Sequence, residues 1–205
     1  NHRSAIEAMY RLGLRNARRD IILLNAYFFP GYRFLRAMRQ AVDRGARVRL
    51  ILQGEPDKDY VKFAGSTLYD SLLKAGVEVW EYMERPAHAK VAVMDDEWAT
   101  VGSSNLDPFS LSLNLEANVF VQDAAFAGEL RGRLEHLLEH HCRRVTRDEV
   151  KRRGVVWHLW RWLAYHLLRH FPRLAQLVPI RNEREQGTRV VGTPAEPPPQ
   201  AQSVD

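Results

Sequence analysis

Apolar and polar positions follow two different periods along the first part of the chain. Segments with apolar residues three or four positions apart predict amphipathic helices, and short continuous apolar runs that end at Gly or Pro predict buried strands. The elements predicted in this way are helices at residues 4–18, 32–44 and 66–74 and strands at residues 20–29, 48–52 and 77–82.

Helix and strand therefore alternate through residue 82, which predicts an α/β fold with a mixed, mostly parallel sheet flanked by helices. Two short strands at residues 89–94 and 98–102, with polar residues between them, predict a hairpin. Beyond the hairpin, the pattern predicts one more strand at residues 115–121 and one more helix at residues 124–141.

The charge of the chain is concentrated near its C-terminal end. The whole sequence has 30 Lys and Arg against 25 Asp and Glu, a net charge of +5. Residues 143–181 contain ten of the basic residues and only two of the acidic ones. This local excess predicts an anionic partner for that segment, either a membrane or a nucleic acid.

Residues 155–171 combine this charge with large aromatic rings. A helical wheel places His158 and Arg161 on one face and leucines on another, and tryptophans at 157, 160 and 162 add large amphipathic rings. Trp favours the headgroup zone of a bilayer, and Arg suits anionic lipid. We predict an amphipathic helix at the membrane surface; the alternative is an ordinary helix docked on the domain by its leucine face.

Several features exclude other classes of protein or structure. The single cysteine, Cys142, cannot form an internal disulfide. The sequence has no run of 18 or more apolar residues, so it predicts no transmembrane helix. His140, His141 and Cys142 are adjacent, and adjacent residues on a helix point in different directions, so we predict no metal site there. Residues 182–205 contain four prolines and few large apolar residues, which predicts a disordered tail.

The segment from His88 to Asp95 contains the residues best suited to catalysis. Side chains alternate along a strand, so His88 and Lys90 lie on the same face. Lys90 is suited to neutralising phosphate oxygens, and His88 to acting as a nucleophile or proton carrier. Asp95 lies too far along to touch the same substrate, and we predict a supporting role such as fixing the histidine tautomer. Taken alone, a His and a Lys two positions apart are more often ordinary surface residues.

A longer pattern makes the segment far more specific. The residues resemble the phospholipase D superfamily signature H-x-K-x4-D-x6-G-S-x-N, and Glu116 resembles the acidic residue that follows it in the family. Residues 101–118, 25–31 and 167–172 resemble the cardiolipin synthase branch, in particular its B subtype from Gram-negative bacteria, and the likeness extends over about residues 2–180. The positions that match the signature are His88, Lys90, Asp95, Gly102, Ser103 and Asn105.

The resemblance implies a reaction that uses no metal or other cofactor. One histidine attacks a phosphodiester to form a phosphohistidine, a second histidine protonates the leaving alcohol, and an acceptor alcohol then takes the phosphatidyl group. Phosphatidylglycerol as donor and acceptor gives cardiolipin; phosphatidylethanolamine is a further possible lipid. The implied catalytic residues are His88 (as general acid), Lys90 and Asp95, and the implied phosphate- or substrate-binding residues are Ser103, Asn105 and Glu116.

The family reaction needs two copies of the motif, and this sequence has one. We therefore predict that the chain is the C-terminal half of a pseudo-dimer, cut from a longer protein and inactive without the missing half or a second copy. The predicted regions are a catalytic half-domain at residues 1–146, a basic, Trp-rich helical extension at 147–181 and the tail at 182–205. The predicted location is the periphery of the bacterial inner membrane.

Two other functions are open on the sequence alone: a homodimeric nuclease, although no nucleic acid is expected as a partner, and a docking half without catalysis.

Tyr27, Phe28 and Phe29 end a strand beside the predicted site, where they line a lipid entrance or pack in the core. Asp57 and Lys58, on the loop after the second strand, are predicted to reach the lipid headgroup.

Overall fold

The computed structural model describes residues 5–54, 68–107, 110–111 and 114–151. Its helices are α1 (Ala5–Asn16), α2 (Tyr32–Asp43), α3 (Tyr69–Lys74), α4 (Ala124–His140) and α5 (Arg147–Lys151). Its strands are β1 (Asp20–Asn25), β2 (Arg47–Gln53), β3 (Glu78–Tyr82), β4 (Lys90–Met94), β5 (Trp98–Gly102), β6 (Asn118–Gln122) and β7 (Cys142–Arg144).

Within these residues the strands form one seven-stranded sheet in the order β6-β5-β4-β1-β2-β3-β7. Only the β1–β2 and β2–β3 pairs are parallel, and the other four pairs are antiparallel. The α/β class is confirmed, but the prediction of a mostly parallel sheet is wrong. Parallel neighbours need a crossover connection. The chain supplies helical crossovers through α2 and α3, and then turns back from β3 to β4 through seven residues.

The predicted hairpin is confirmed, with Val91 opposite Val101 and Met94 opposite Trp98. Gly45 and Gly76, which follow α2 and α3, have φ angles of +94° and +81°, a conformation that favours glycine at a helix end. Strand β7 was not predicted, because three residues that include two arginines contain no apolar run.

The sheet is buried on both faces. On one face, α1, α2, α3 and α5 cover a large core, and on the other face α4 covers a smaller one. Strand β1 contributes to both, because its side chains alternate between the faces: Ile21 and Leu23 lie in the larger core, Ile22 and Leu24 in the smaller. This arrangement explains why β1 is apolar at consecutive positions rather than at every second one.

Helix α4 is fixed to the sheet by an ionic network as well as by its apolar side. Arg131 pairs with Asp20 and Asp96, and Arg49 pairs with Asp20 and, at 3.2 Å, with Glu135. Arg49 and Arg131 are nearly buried, so their positive charges are compensated mainly by the paired carboxylates rather than by water. The network lies at the edge of the sheet where β1 begins.

The predicted extension and tail lie almost wholly outside the described residues, as do Asp57 and Lys58. Helix α5 is described, and its Val150 packs in the larger core. The boundaries after residues 146 and 181 stay predictions. In the part of the chain that the structure describes, no helix has the length and apolar character needed to cross a bilayer.

Candidate active site

The predicted site residues, except Asp95, lie at one edge of the sheet. This edge contains the carboxyl ends of β1 and β5 and the first residues of β4 and β6, because β4 and β6 run in the opposite direction. The strand pairing places Lys90 opposite Asn25 and Gly102 opposite Asn118. The antiparallel turn-back of β4 therefore brings the start of the motif beside its end.

His88 and Lys90 form a direct pair. The Lys90 Nζ atom lies 3.0 Å from His88 Nδ1 and 2.6 Å from the His88 carbonyl oxygen. Lys90 is 5% exposed, whereas His88 is exposed. The buried lysine thus fixes the orientation of a histidine that substrate can reach.

The same contact determines where the proton of the neutral imidazole lies. A lysine ammonium has donors and no acceptor, so His88 Nδ1 accepts the hydrogen bond. The neutral ring then carries its proton on Nε2. Proton donation from Nε2 needs the imidazolium form, in which Nδ1 also carries a proton, and a nucleophilic or basic Nε2 needs the neutral tautomer with its proton on Nδ1.

The ammonium group of Lys90 is partly desolvated. Burial lowers the pKa of Lys90, while the carboxylates of Glu116 and Asp107 act on the ammonium in the opposite direction. Glu116 and Asp107 thus favour the charged form of the motif lysine. A desolvated cation attracts a phosphate oxygen more strongly than a hydrated one does.

Ser103 and Glu116 form a second polar pair at this edge. Ser103 Oγ donates to a Glu116 carboxylate oxygen and accepts the Ala117 N–H at 3.1 Å. The other Glu116 oxygen accepts from Asn114 Nδ2 at 3.3 Å. Ser103 is exposed and Glu116 is half-buried at the rim of the site. A bound substrate can therefore replace these hydrogen bonds with its own.

Asn105 takes part in a reciprocal clamp between two loops. Its Oδ1 accepts the Tyr27 N–H at 3.2 Å, while the Asn25 Oδ1 accepts the Leu106 N–H at 3.1 Å. A backbone hydrogen bond of 2.7 Å from Phe29 N to the Leu106 oxygen lies beside them. The clamp joins the end of β1 to the segment after β5, and Asn25 is only 2% exposed. Sequence reasoning assigned Asn25 no role of its own, although a polar residue at the end of an apolar strand was a signal.

Gly102 and Asn118 set the position of the serine loop. Asn118 Oδ1 accepts the Ser104 N–H at 3.3 Å, and its Nδ2 donates to Thr100 Oγ1 at 3.4 Å. A Cβ on Gly102 would lie 2.3 Å from Asn118 Cγ and 2.5 Å from the Ala117 oxygen. The glycine of the motif is therefore required by the close approach of β6.

Asp95 lies at the opposite edge of the sheet, at the far end of β4. Its carboxylate accepts the backbone N–H groups of Arg18 and Arg19, both at 2.8 Å, and of Asp20 at 2.9 Å. Burial alone would raise the pKa of Asp95, but these three donors and the charge of Arg19 lower it. The prediction that Asp95 fixes the His88 tautomer is wrong, because Asp95 instead holds the connection between α1 and β1.

The aromatic residues after β1 are mostly core. Phe28 and Phe29 are 3% and 8% exposed and lie in the larger core, and Tyr27 is partly exposed. For the two phenylalanines the core alternative is therefore confirmed. A place for Tyr27 at a lipid entrance stays a prediction.

Within the described ranges, no group of His, Cys, Asp and Glu side chains is arranged to hold a metal ion. Cys142 is half-buried, and burial raises the pKa of its thiol to about 11. Its neighbour His141 pairs with Glu84. No hydrogen bond or ion pair of the described residues joins them to the His88–Lys90 pair.

Comparison with known proteins agrees with the arrangement. Residues 11–138 match the family described as "Cardiolipin synthase, PLD-like domain". The chain is 51% identical over 197 residues to cardiolipin synthase B of Escherichia coli O6:H1, an alignment that covers 96% of this chain and 47% of that protein. The chain thus spans about half the length of the curated relatives it matches.

Two solved structures share the fold. The phospholipase D family member Nuc from Salmonella typhimurium superposes with a TM-score of 0.56 at 20% identity, covering 68% of this chain and 90% of Nuc. NucT from Helicobacter pylori superposes with a TM-score of 0.58 at 18% identity, covering 70% of this chain and 93% of NucT. At these identities the likeness extends to the fold alone.

Proposed function

The chain belongs to the phospholipase D-like cardiolipin synthase family, and we propose that it is one catalytic half of a phosphatidyltransferase that forms cardiolipin. The observation that carries this proposal is the His88–Lys90 pair, in which a buried ammonium holds an exposed imidazole at 3.0 Å. The proposed substrates are phospholipids: anionic phosphatidylglycerol as donor and acceptor, with phosphatidylethanolamine as an alternative lipid substrate.

In the proposed reaction, His88 is the general acid. A histidine of the other half attacks the phosphorus of the donor lipid and forms a phosphohistidine. The bond from phosphorus to the headgroup oxygen breaks, and the headgroup leaves as an alcohol with the Nε2 proton of the His88 imidazolium, which becomes a neutral ring. The now basic His88 takes a proton from the headgroup hydroxyl of the acceptor lipid, which attacks phosphorus and releases the first histidine. With phosphatidylglycerol in both roles, the products are cardiolipin and glycerol.

The contacts of the site support these roles. Lys90 contacts the His88 ring at Nδ1, so Nε2 is the nitrogen left to exchange a proton with the lipid: the imidazolium form donates it, and the neutral ring that remains accepts one from the next alcohol. The Lys90 ammonium is the group suited to neutralising a phosphate oxygen, and Ser103 and Asn105 supply hydroxyl and amide donors at the same edge. Glu116 orients Ser103 through their hydrogen bond.

The second half of the site is proposed to come from another polypeptide segment. The chain contains a single copy of the motif and spans 47% of the length of the Escherichia coli relative. In a full-length protein the N-terminal half would supply the nucleophile, and in this chain alone a second copy would have to do so. We further propose a peripheral location at the bacterial inner membrane, supported by the basic residues between positions 143 and 181.

Turnover of labelled phosphatidylglycerol by the full-length parent protein tests the proposal. We expect His88→Ala to lower cardiolipin formation by roughly 10²-fold or more, the usual contribution of a general acid or base. His136→Ala, which removes an exposed histidine on α4 outside the site, is the matched control and is expected to retain full activity. A parent protein that cleaves oligonucleotides and makes no lipid product would instead support the nuclease alternative.

A further inference from the structure

The exposed side of α2 carries an excess of positive charge. Arg33, Arg36 and Arg39 lie on this side, and the helix has one acidic residue, Asp43, at its end. Asp43 pairs weakly with Arg39, at 3.9 Å between exposed side chains. Arg33 and Arg36 make no ion pair with any described residue. With Tyr32, which is 50% exposed, Arg33 and Arg36 form a surface that we call the α2 ridge.

The layer on the other face of the sheet differs from the α2 ridge. Helix α4 has two arginines against three glutamates. Both of its arginines are paired: Arg131 with Asp20 and Asp96, and Arg133 with Glu129 at 2.7 Å. The α2 ridge therefore differs from α4, because no carboxylate of the described residues compensates the charge of its arginines.

The ridge lies beside the candidate site. Strand β1 ends at Asn25, at the edge that contains Lys90, and α2 begins seven residues later at Tyr32. The intervening loop is held to the segment after Gly102 by the hydrogen bond from Phe29 to Leu106. Arg36 is four positions after Tyr32 and three after Arg33, so the three side chains share one surface of the helix.

We propose that the α2 ridge binds the anionic headgroup surface of a bilayer. The outer side of a helix is convex, so it suits an extended negative surface. Arginines without a carboxylate partner are attracted to anionic headgroups, and an exposed tyrosine is suited to the zone between water and acyl chains. Bound in this way, α2 turns the edge that carries His88 toward the lipid. This contact is separate from the one predicted for residues 147–181.

Vesicle flotation tests the ridge without any need for turnover. Binding of the 205-residue chain to mixed phosphatidylglycerol–phosphatidylcholine vesicles is compared with binding to pure phosphatidylcholine vesicles. The ridge variant is Arg33→Glu/Arg36→Glu. The control variant, Arg15→Glu/Arg18→Glu, makes the same change in net charge at exposed positions outside the ridge, where the arginines likewise form no ion pair with a described residue. Circular dichroism checks the fold of each, and Arg33→Gln/Arg36→Gln serves as a milder ridge variant.

Each arginine near an anionic surface contributes roughly fivefold to partitioning, so we expect the ridge variant to bind mixed vesicles about 25-fold more weakly or worse. The control variant is expected to lose less than about threefold, since surface charges far from the bilayer are screened by salt. Equal losses in both variants, or no loss in either ridge variant, would overturn the proposal. So would loss of binding to a duplex oligonucleotide while vesicle binding stays intact. Because no lipid product is measured, a failure here is distinct from a failure of the proposed synthase activity.

Discussion

At the scale of single residues, the site contains a charged side chain at a buried position, where the loss of water disfavours the charge. Lys90 is 5% exposed and has its pKa lowered by burial, yet its ammonium is the group that orients His88. The sequence predicted that these two side chains share a face, because the period of a strand is two residues. It did not predict the direct Nζ–Nδ1 contact, which depends on the path of the chain before β4 and on the depth at which Lys90 is buried.

Asp95 shows the limit of sequence reasoning at this scale. The motif spacing placed Asp95 with the catalytic residues, but its partners are three backbone N–H groups on the connection between α1 and β1. That connection is 75 or more residues away in sequence, so no local pattern indicated it. The φ angle of +48° at Asp95 adds a conformational requirement that Asn and Asp tolerate better than most residues.

We expect Asp95→Ala to lower the free energy of unfolding at pH 7 by about 2 kcal/mol or more, because three donors lose their acceptor and Ala is strained at positive φ. The folded pKa of Asp95 lies below its unfolded value of about 3.9, so the ionised carboxylate stabilises the fold above that value. This contribution disappears as the pH falls through the folded pKa. Urea denaturation of wild type and variant across this pH range measures both effects.

Asp43→Ala is the matched control for this measurement. Asp43 is an exposed aspartate whose ion pair with Arg39 spans 3.9 Å, so its removal is expected to change the free energy of unfolding by less than about 0.5 kcal/mol. A difference between wild type and Asp95→Ala that persists unchanged at about pH 2, below the unfolded pKa, would contradict the role given to the ionised carboxylate.

At the scale of elements, the alternation of helices and strands was predictable and the direction of the later strands was not. Residues 20–25, 47–53 and 78–82 are apolar enough to be recognised as strands, and the helices between them imply parallel neighbours. Strand direction beyond β3 depends on a seven-residue connection whose sequence has no strong period. The antiparallel β4 and β6 are nevertheless what brings His88, Ser103 and Glu116 to one edge.

Gly102→Ala tests the close approach of β5 and β6. The added Cβ would meet Asn118 at 2.3 Å and the Ala117 oxygen at 2.5 Å, so β6 has to move away. We expect a loss of about 1–3 kcal/mol in the free energy of unfolding, together with loss of activity in the parent protein as Ser103 and Glu116 are displaced. Thermal or urea denaturation and turnover of phosphatidylglycerol check the two parts.

Gly128→Ala is the comparison variant for Gly102→Ala. Gly128 lies on the exposed side of α4, and a Cβ added there would have no neighbouring atom within 4 Å. An alanine at this position is therefore expected to stabilise the helix by about 0.5–1 kcal/mol. Equal effects of the two substitutions would show that the space beside Gly102 is not limiting.

At the scale of the whole molecule, the described residues form a covered sheet but only half of the proposed site. Helices cover both faces of the sheet, and the motif residues other than Asp95 meet at one edge. The proposed reaction, however, uses two histidines, and the chain supplies one motif and spans about half of its relatives. The family and the half-length character were predictable because the motif spacing is specific. Whether the missing half or a second copy completes the site depends on how the polypeptides associate. No pattern in a single sequence predicts that association.

The most direct test of the shared site is the dependence of cardiolipin formation on the concentration of the 205-residue chain, measured with phosphatidylglycerol vesicles beside the full-length parent. We predict that the parent forms cardiolipin in proportion to its concentration. The chain is expected to form none when dilute, and any activity at high concentration is expected to rise with the square of concentration, because two copies would then build one site. Cardiolipin formation by the dilute chain in simple proportion to its concentration would contradict the proposal, because one His88–Lys90 pair would then be sufficient for the reaction.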